Sequence, residues 1–263
     1  MAFKMNLVWH KTSRNTSIAT FVNRNGVKLL YKKSKLIRLH PIQINEVQRK
    51  FEAVIKKIKN LHTPKFYEHL SDDCILVFDF IEYPTLHEQM ARTIGPDGLN
   101  KICEIMFETL EKIHASSVEE EKDNPYALID YGPKNIMHDG LNCYIIDLPD
   151  RIVRRKGYWD YGVLWFEIDR SLFQTKNAKY FFRLVFKKIK LAKKNRLRLW
   201  QLICGVARHS FFVASRYLNF FKDDKITNLL LKFVLFVPGV LIYFIVIVTS
   251  SSLVWMFLER EPS

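Results

Sequence analysis

IDYGPKNIMHDGLNCYIIDLPD, residues 129–150, is the stretch on which the fold turns. Asp139-Gly140 is a turn signal, and a short apolar strand stands on each side of it, Ile136-Met137 and Tyr144 to Ile146. Pairing those strands around a turn at Asp139 to Asn142 predicts Asn135 roughly opposite Asp147, at the open end of one hairpin. Asp130 lies five residues before Asn135, on the loop that enters it. An amide and a carboxylate side by side form a seat for a hard divalent cation, which takes oxygen ligands. A further carboxylate nearby can orient a hydroxyl and accept its proton. The competing reading makes Asp130 and Asn135 turn formers and Asp147 the end of a strand.

Working toward the N-terminus, Ile18 to Val22 and Val27 to Tyr31 flank Asn23-Arg24-Asn25-Gly26 and predict a β-hairpin. Asn45 to Leu61 carries Val47, Phe51, Val54, Ile55 and Ile58 at helical spacing, and Asn100 to His114 has a similar period. Cys74 to Ile81 is a strand-like run. Glu119 to Asn124 is a charged loop. His114, ending a helix, and His138, beside the turn, receive no catalytic role.

The motif D-x4-N, a hairpin and then IID resembles the catalytic segment of the protein-kinase and aminoglycoside-phosphotransferase superfamily. That resemblance implies an α+β, two-lobed kinase-like fold, with a small β-rich N-lobe over residues 1–84 and a compact helical C-lobe over 85–200. It makes Asp130 the catalytic base, and Asn135 and Asp147 the ligands of Mg²⁺. LLYK, Leu29 to Lys32, is similar to the strand bearing the phosphate-binding lysine. Leu30 and Lys32 share a strand face, which favours Lys32 over Lys33. Its ion-pair partner is expected on the following helix, where Glu52 fits better than Glu46. FDFIEYPTL, Phe78 to Leu86, looks like the hinge that receives the adenine of ATP, with Asp79 and Ile81 in contact. WDYGVLWFEI, Trp159 to Ile168, is similar to the helix whose acid braces the catalytic loop, here Asp160.

The likeness runs from about Ser13 to Leu199. It departs from the pattern at KTSRNTS, Lys11 to Ser17, where a glycine-rich loop is usual. Leu128 stands in the place of the loop histidine, and Leu148-Pro149 in the place of Phe-Gly. Within the superfamily, IDLPDR, the hinge FIEY and the Lys/Arg-rich C-terminal helices resemble bacterial lipopolysaccharide core heptose kinases, which phosphorylate a sugar hydroxyl of a lipid-linked glycan at the cytoplasmic face. Alternatives are a membrane-tethered pseudokinase serving as a scaffold, and a protein kinase. The region after Asp150 is short for a peptide-binding lobe.

Composition adds a membrane. The 263 residues carry a formal charge of +14 with a pI near 9.6, which calls for an acidic partner. From Ser171 to Lys222 there is no Asp or Glu, and Phe233 to Leu258 holds no Asp, Glu, Lys, Arg or His. As a helix, the latter stretch would run roughly 39 Å, enough to cross a hydrocarbon core of about 30 Å. Lys222, Lys225 and Lys232 precede it and only Arg260 follows, so the predicted single span leaves the kinase-like part in the cytoplasm, at the inner membrane if the bacterial resemblance holds. Residues 201–232 are expected to form basic, amphipathic, membrane-proximal helices. Lys176 to Trp200 has two readings, as a helix lying on anionic lipid or as an ordinary helix packed on the fold. A basic run beside a span favours lipid headgroups over specific nucleic acid. Cys74, Cys103, Cys143 and Cys204 lie far apart without a CxxC pair, which argues against zinc. The N-terminus lacks the apolar run of a signal peptide.

Overall fold

The N-terminal hairpin forms as β2 (Thr16–Val22) and β3 (Lys28–Ser34), after a short β1 (His10–Lys11). Asn23 holds the turn: its Oδ1 accepts the N–H groups of Asn25 (3.0 Å) and Val27 (2.9 Å), and Gly26 takes the left-handed φ of +77°. In this computed structural model, residues 8–11, 16–23, 25–34, 41–70, 75–93, 95–117, 131–147, 157–220, 245–254 and 256 are described.

Helix α1 (Pro41–Ile55) follows, opening on a proline that needs no N–H partner at a helix start. It begins four residues earlier than the spacing predicts and ends six earlier. The chain unwinds through turns to Asn60, whose φ is +61°, and enters β4 (Leu61–His62). The apolar stripe of Val47, Phe51, Val54, Ile55 and Ile58 is buried as its period requires. Strand β5 (Phe66–Leu70) has no counterpart among the sequence expectations, and β6 (Ile75–Asp79) is shorter than the expected run. Five strands make one antiparallel sheet in the order β1-β2-β3-β6-β5. Ala19, Tyr31, Ile75 and Val77 pack together, with Leu29 and Trp9 against them. Leu76 and Phe78 form a second cluster with Leu30 and Phe66. The alternation along β3 and β6 assigns the two clusters to opposite faces of the sheet.

The decisive hairpin is β7 (Ile136–His138) and β8 (Cys143–Ile145). Strand β8 also pairs in parallel with β4, Leu61 facing Cys143, which makes a three-stranded sheet β4-β8-β7. That pairing assigns residues 135–153 to the same compact unit as residues 1–85, rather than to the helical part that the linear boundaries gave them.

The second unit comprises residues 86–134 and 154–263. Among its helices are α2 (Leu86–Arg92), α3 (Pro96–Ser117), α4 (Tyr158–Gln174), α5 (Phe181–Lys194) and α6 (Leu199–Phe220). Helix α3 buries Leu99, Ile102, Cys103, Met106, Leu110 and Ile113, the stripe of an amphipathic helix. Tyr131 is pinned beside it, its hydroxyl donating to the Met106 carbonyl at 2.8 Å.

Of the two readings left open for Lys176 to Trp200, the packed one describes the inner side of α5, whose apolar face (Phe181, Leu184, Val185, Ile189, Ala192) is buried in this unit; one expectation for the region beyond it is corrected. Helix α6 packs directly on α4, with Gly205 against Gly162 and with Leu202 and Val206 buried, so residues 201–209 belong to the fold rather than to a separate membrane-proximal layer. The reason is steric: two glycines let the helix backbones approach more closely than any side chain would allow. Of the expected span, residues 233–244, 255 and 257–258 lie outside the described residues and 245–254 are helical. Among the described residues, no helix is long and apolar enough to cross a membrane.

Candidate active site

Lys32 sits on β3 opposite Leu76, two residues from Leu30, which faces Phe78. It therefore rises from the apolar face formed by Leu30, Leu76 and Phe78. Its ammonium group donates to Oδ1 of Asp147, 115 residues away in the sequence. The lysine side chain is 23% exposed and the carboxylate 37%, so the pair is half-shielded yet open to a ligand.

Asp147 is presented by the β7–β8 hairpin, whose register pairs Ile136 with Ile145 and His138 with Cys143. Ile146 N–H donates to the Asn135 carbonyl at 3.0 Å. Asn135 thus stands opposite Ile146, and Asp147 is one residue further on. The expected Asn135–Asp147 register is off by one: around the expected turn, 139–142, the observed pairs carry Asn135 to Ile146.

Asp139 fixes that turn. Its Oδ1 accepts the backbone N–H groups of Leu141 (2.8 Å) and Asn142 (2.6 Å), while Oδ2 accepts from the Asn142 amide (2.9 Å) and the Tyr144 hydroxyl (3.2 Å). These donors, the Asn142 N–H foremost, hold its carboxyl well below the usual aspartate range. Burial, with the Asp139 charge added, pushes the Tyr144 phenol up to about 12. Gly140, at φ +104°, completes the turn.

The expected Lys32–Glu52 ion pair is not formed. Glu52 Oε1 accepts the Phe66 N–H at 3.2 Å and Oε2 lies 3.8 Å from Lys56, so this glutamate ties α1 to β5. Glu46 bonds Lys50 one turn along its own helix, at 2.6 Å. With both glutamates engaged elsewhere, the lysine finds its counter-charge in Asp147.

The segment expected to serve as the hinge is braced from the sheet. Asp79 N–H donates to the Lys65 carbonyl (3.0 Å), and its carboxylate accepts the Tyr67 hydroxyl (2.8 Å). The Asp79 side chain is thus committed to Tyr67, whose phenol it holds above the usual tyrosine value. Lys28 bonds Glu82 at 2.6 Å and lies 4.0 Å from the Phe80 ring centroid. Ile81, between these residues, is half-buried. The sequence reading missed Lys28 and Tyr67, and took Asp139 only as part of a turn. Only Asp139 carried a signal, as the first residue of an Asp-Gly turn.

In the second unit Asp160, on the first turn of α4, is fully buried and lies 3.0 Å from His114 Nε2. The His114 ring meets Tyr161 edge-on at 5.6 Å. His114 therefore has a defined partner that the sequence reading left open. Asp130, Leu128, Leu148-Pro149, most of the segment in place of the glycine-rich loop, and Glu119 to Asn124 lie outside the described residues.

Neither a protein-family model nor a curated protein sequence matches the chain. Solved structures do. An amicoumacin kinase, hAmiN, in complex with AMP-PNP, Ca²⁺ and Ami, aligns with a TM-score of 0.55 at 9% identity, over 89% of this chain and 87% of that one. The fold is kinase-like. An apo thermostable mutant of the aminoglycoside phosphotransferase APH(4)-Ia aligns with a TM-score of 0.46 at 10% identity, over 68% and 78% of the two chains. Within the kinase-like fold, the structure brings Lys32 and Asp147 into contact, with Asn135 adjacent on the hairpin. An ammonium on an apolar sheet face suits phosphate oxygens, and an open carboxylate suits a hard divalent cation, so this donor set fits a metal-bound nucleotide.

Proposed function

We propose that the chain is an ATP-dependent phosphotransferase acting on an alcohol group, with a sugar hydroxyl of a lipid-linked glycan as its acceptor. The observation that carries the reading is the Lys32–Asp147 ion pair on the apolar face of the five-stranded sheet, in a chain of kinase-like fold. Lys32 holds the nucleotide phosphates, and Asp147 with Asn135 holds Mg²⁺, which supplies charge neutralisation at the transferred phosphoryl group. Asp130, five residues ahead of Asn135, orients the acceptor hydroxyl and takes its proton. Phe78 to Leu86 receives adenine through the backbone near Asp79 and Ile81. Asp160, buried against His114, braces the catalytic loop.

The acceptor assignment is supported by IDLPDR, by the FIEY hinge and by the basic C-terminal helices, which resemble the lipopolysaccharide core kinases. The 26 uncharged residues Phe233 to Leu258 support a single membrane anchor with the kinase-like part on the cytoplasmic side. The test is incubation of the full chain with labelled ATP, Mg²⁺ and a membrane lipid extract, with mass spectrometry for the gain of one phosphate. Transfer should fall at least about a hundredfold in Asp147→Ala. Nucleotide binding without transfer to any acceptor refutes the enzyme and leaves a scaffold. Release of the chain by carbonate washing refutes the anchor.

A further inference from the structure

We propose that the outward side of α5, with the end of α4, is a docking face for an anionic bilayer surface. While α5 turns its apolar stripe into the fold, its opposite side carries Phe182, 68% exposed, and Phe186, 39% exposed, one turn apart. Phe173, at the end of α4, is 52% exposed, and its ring lies 5.5 Å from Phe181, which in turn lies 5.3 Å from Phe182. Phe173 and Phe182 are thus joined through the buried Phe181, and Phe186 stands exposed one turn beyond Phe182. Phenylalanine has no polar atom to offer water, so a cluster of this kind marks a surface that is covered in use.

The surrounding charge names the cover. Lysines on the inner flanks of α5 are matched by acids: Lys187 by Glu104, Lys188 by Asp169 and Lys194 by Glu108. Arg183 and Lys190, on the side of α5 that carries Phe182 and Phe186, and Lys179 in the turn just before the helix are exposed and have no acidic partner among the described residues. No Asp or Glu occurs from Ser171 to Lys222. A surface that takes phenyl rings and lysine or arginine heads together is the headgroup layer of an acidic membrane: the rings reach the acyl boundary and the cations meet phosphates. This inference shares only the membrane with the function proposed above, and the two fail separately.

The test uses the full chain with Cys74→Ser and Cys204→Ser, bearing a nitroxide at Phe182→Cys, in bilayers rich in phosphatidylglycerol or made of phosphatidylcholine alone. In the acidic bilayers the label should collide readily with oxygen and poorly with a water-soluble nickel chelate. In the neutral bilayers, or after Arg183→Glu with Lys190→Glu, the docked population should fall about tenfold or more. A label at Lys101→Cys on α3 should stay water-like throughout. Urea midpoints of the charge-reversed chain should match those of its labelled parent, because Arg183 and Lys190 are exposed. A water-like Phe182→Cys label in acidic bilayers, on a chain that resists carbonate, overturns the docking face while leaving the anchor. Shielding from both probes in the absence of lipid overturns it in favour of a protein contact.

Discussion

Gly162→Ala should loosen the second unit more than any comparable one-carbon change. A methyl group there would lie 2.1 Å from the backbone carbon of Gly205, 2.4 Å from its Cα and 2.5 Å from the Val206 nitrogen. Ordinary contact begins at 3.4 Å, and none of these atoms belongs to a side chain that can swing aside. Helices α4 and α6 must then part locally by about 1.3 Å, a gap that forfeits around half of the dispersion energy across it. Overpacking of this kind costs about 1–3 kcal/mol, and rigid backbone on both sides puts it at the upper end. The better helix propensity of alanine returns about 1 kcal/mol, leaving a net loss of about 2 kcal/mol. Gly98→Ala is the control. Its new methyl meets only Thr93 Cγ2, at 2.5 Å, and that side chain can turn at the expense of its 2.7 Å hydrogen bond to the Gln89 carbonyl, so Gly98→Ala should cost less than Gly162→Ala. Urea unfolding followed by circular dichroism measures both. Equal midpoints for Gly162→Ala and the parent chain would refute backbone-to-backbone packing of α4 on α6, and with it the assignment of α6 to the fold.

Three further outcomes follow from the contacts described. Lys32→Met and Asp147→Asn should couple by about 1 kcal/mol in a double-mutant cycle, since the pair is partly shielded, and additive losses would show that it contributes nothing. Lys188→Met should destabilise by about 3–5 kcal/mol in thermal melts, because it strands the fully buried Asp169 carboxylate, and a shift of under about 1 kcal/mol would contradict that burial. Asp139 has a depressed carboxyl, so its contribution to the turn is fully present above the ordinary aspartate range and is lost only as pH falls through the lower folded value. A carbon-detected NMR titration should place its midpoint below that of a free aspartate, about 3.9, and a midpoint at or above that value counts against the hydrogen-bonded turn.

The sequence exposed those parts of the fold that are local. The two hairpins were legible because Asn23 to Gly26 and Asp139-Gly140 are turn signals flanked by apolar runs, and the helices because their apolar residues recur at 3.6. What it hid is pairing at a distance. The parallel contact of Leu61 with Cys143, which moves the β7–β8 hairpin into the sheet-containing unit, leaves no trace in a two-residue strand. Strand β5, Phe66–Leu70, reads Phe-Tyr-Glu-His-Leu without apolar alternation, and nothing local predicts that Glu52 commits its carboxylate to the Phe66 N–H. Helix α6 reads as basic and amphipathic. Its docking depends on a glycine in each of two helices 43 residues apart, Gly162 and Gly205, and single-sequence periodicity does not register such a match.

The same distinction bears on the candidate site. A kinase-like arrangement needs a cation from a strand and an acid from a distant hairpin, and here that acid, rather than the helix glutamate, answers the lysine. Glu52 is bonded to the β5 backbone, so pairing it with Lys32 would mean breaking a hydrogen bond at the α1–β5 junction. Such a bond contributes about 0.5–1.5 kcal/mol net, which is within the reach of a bound nucleotide. If Lys32 turned to phosphate and Asp147 to a metal ion, the charge that each now satisfies for the other would be met by the ligand, with Glu52 left where it is. On the proposed function, the helix glutamate is therefore expected to be dispensable for nucleotide binding. Glu52→Gln should keep its bond to the Phe66 N–H and leave ATP affinity within about twofold of the parent. A tenfold loss in Glu52→Gln, measured by calorimetry, would show instead that α1 rearranges to bring Glu52 to Lys32.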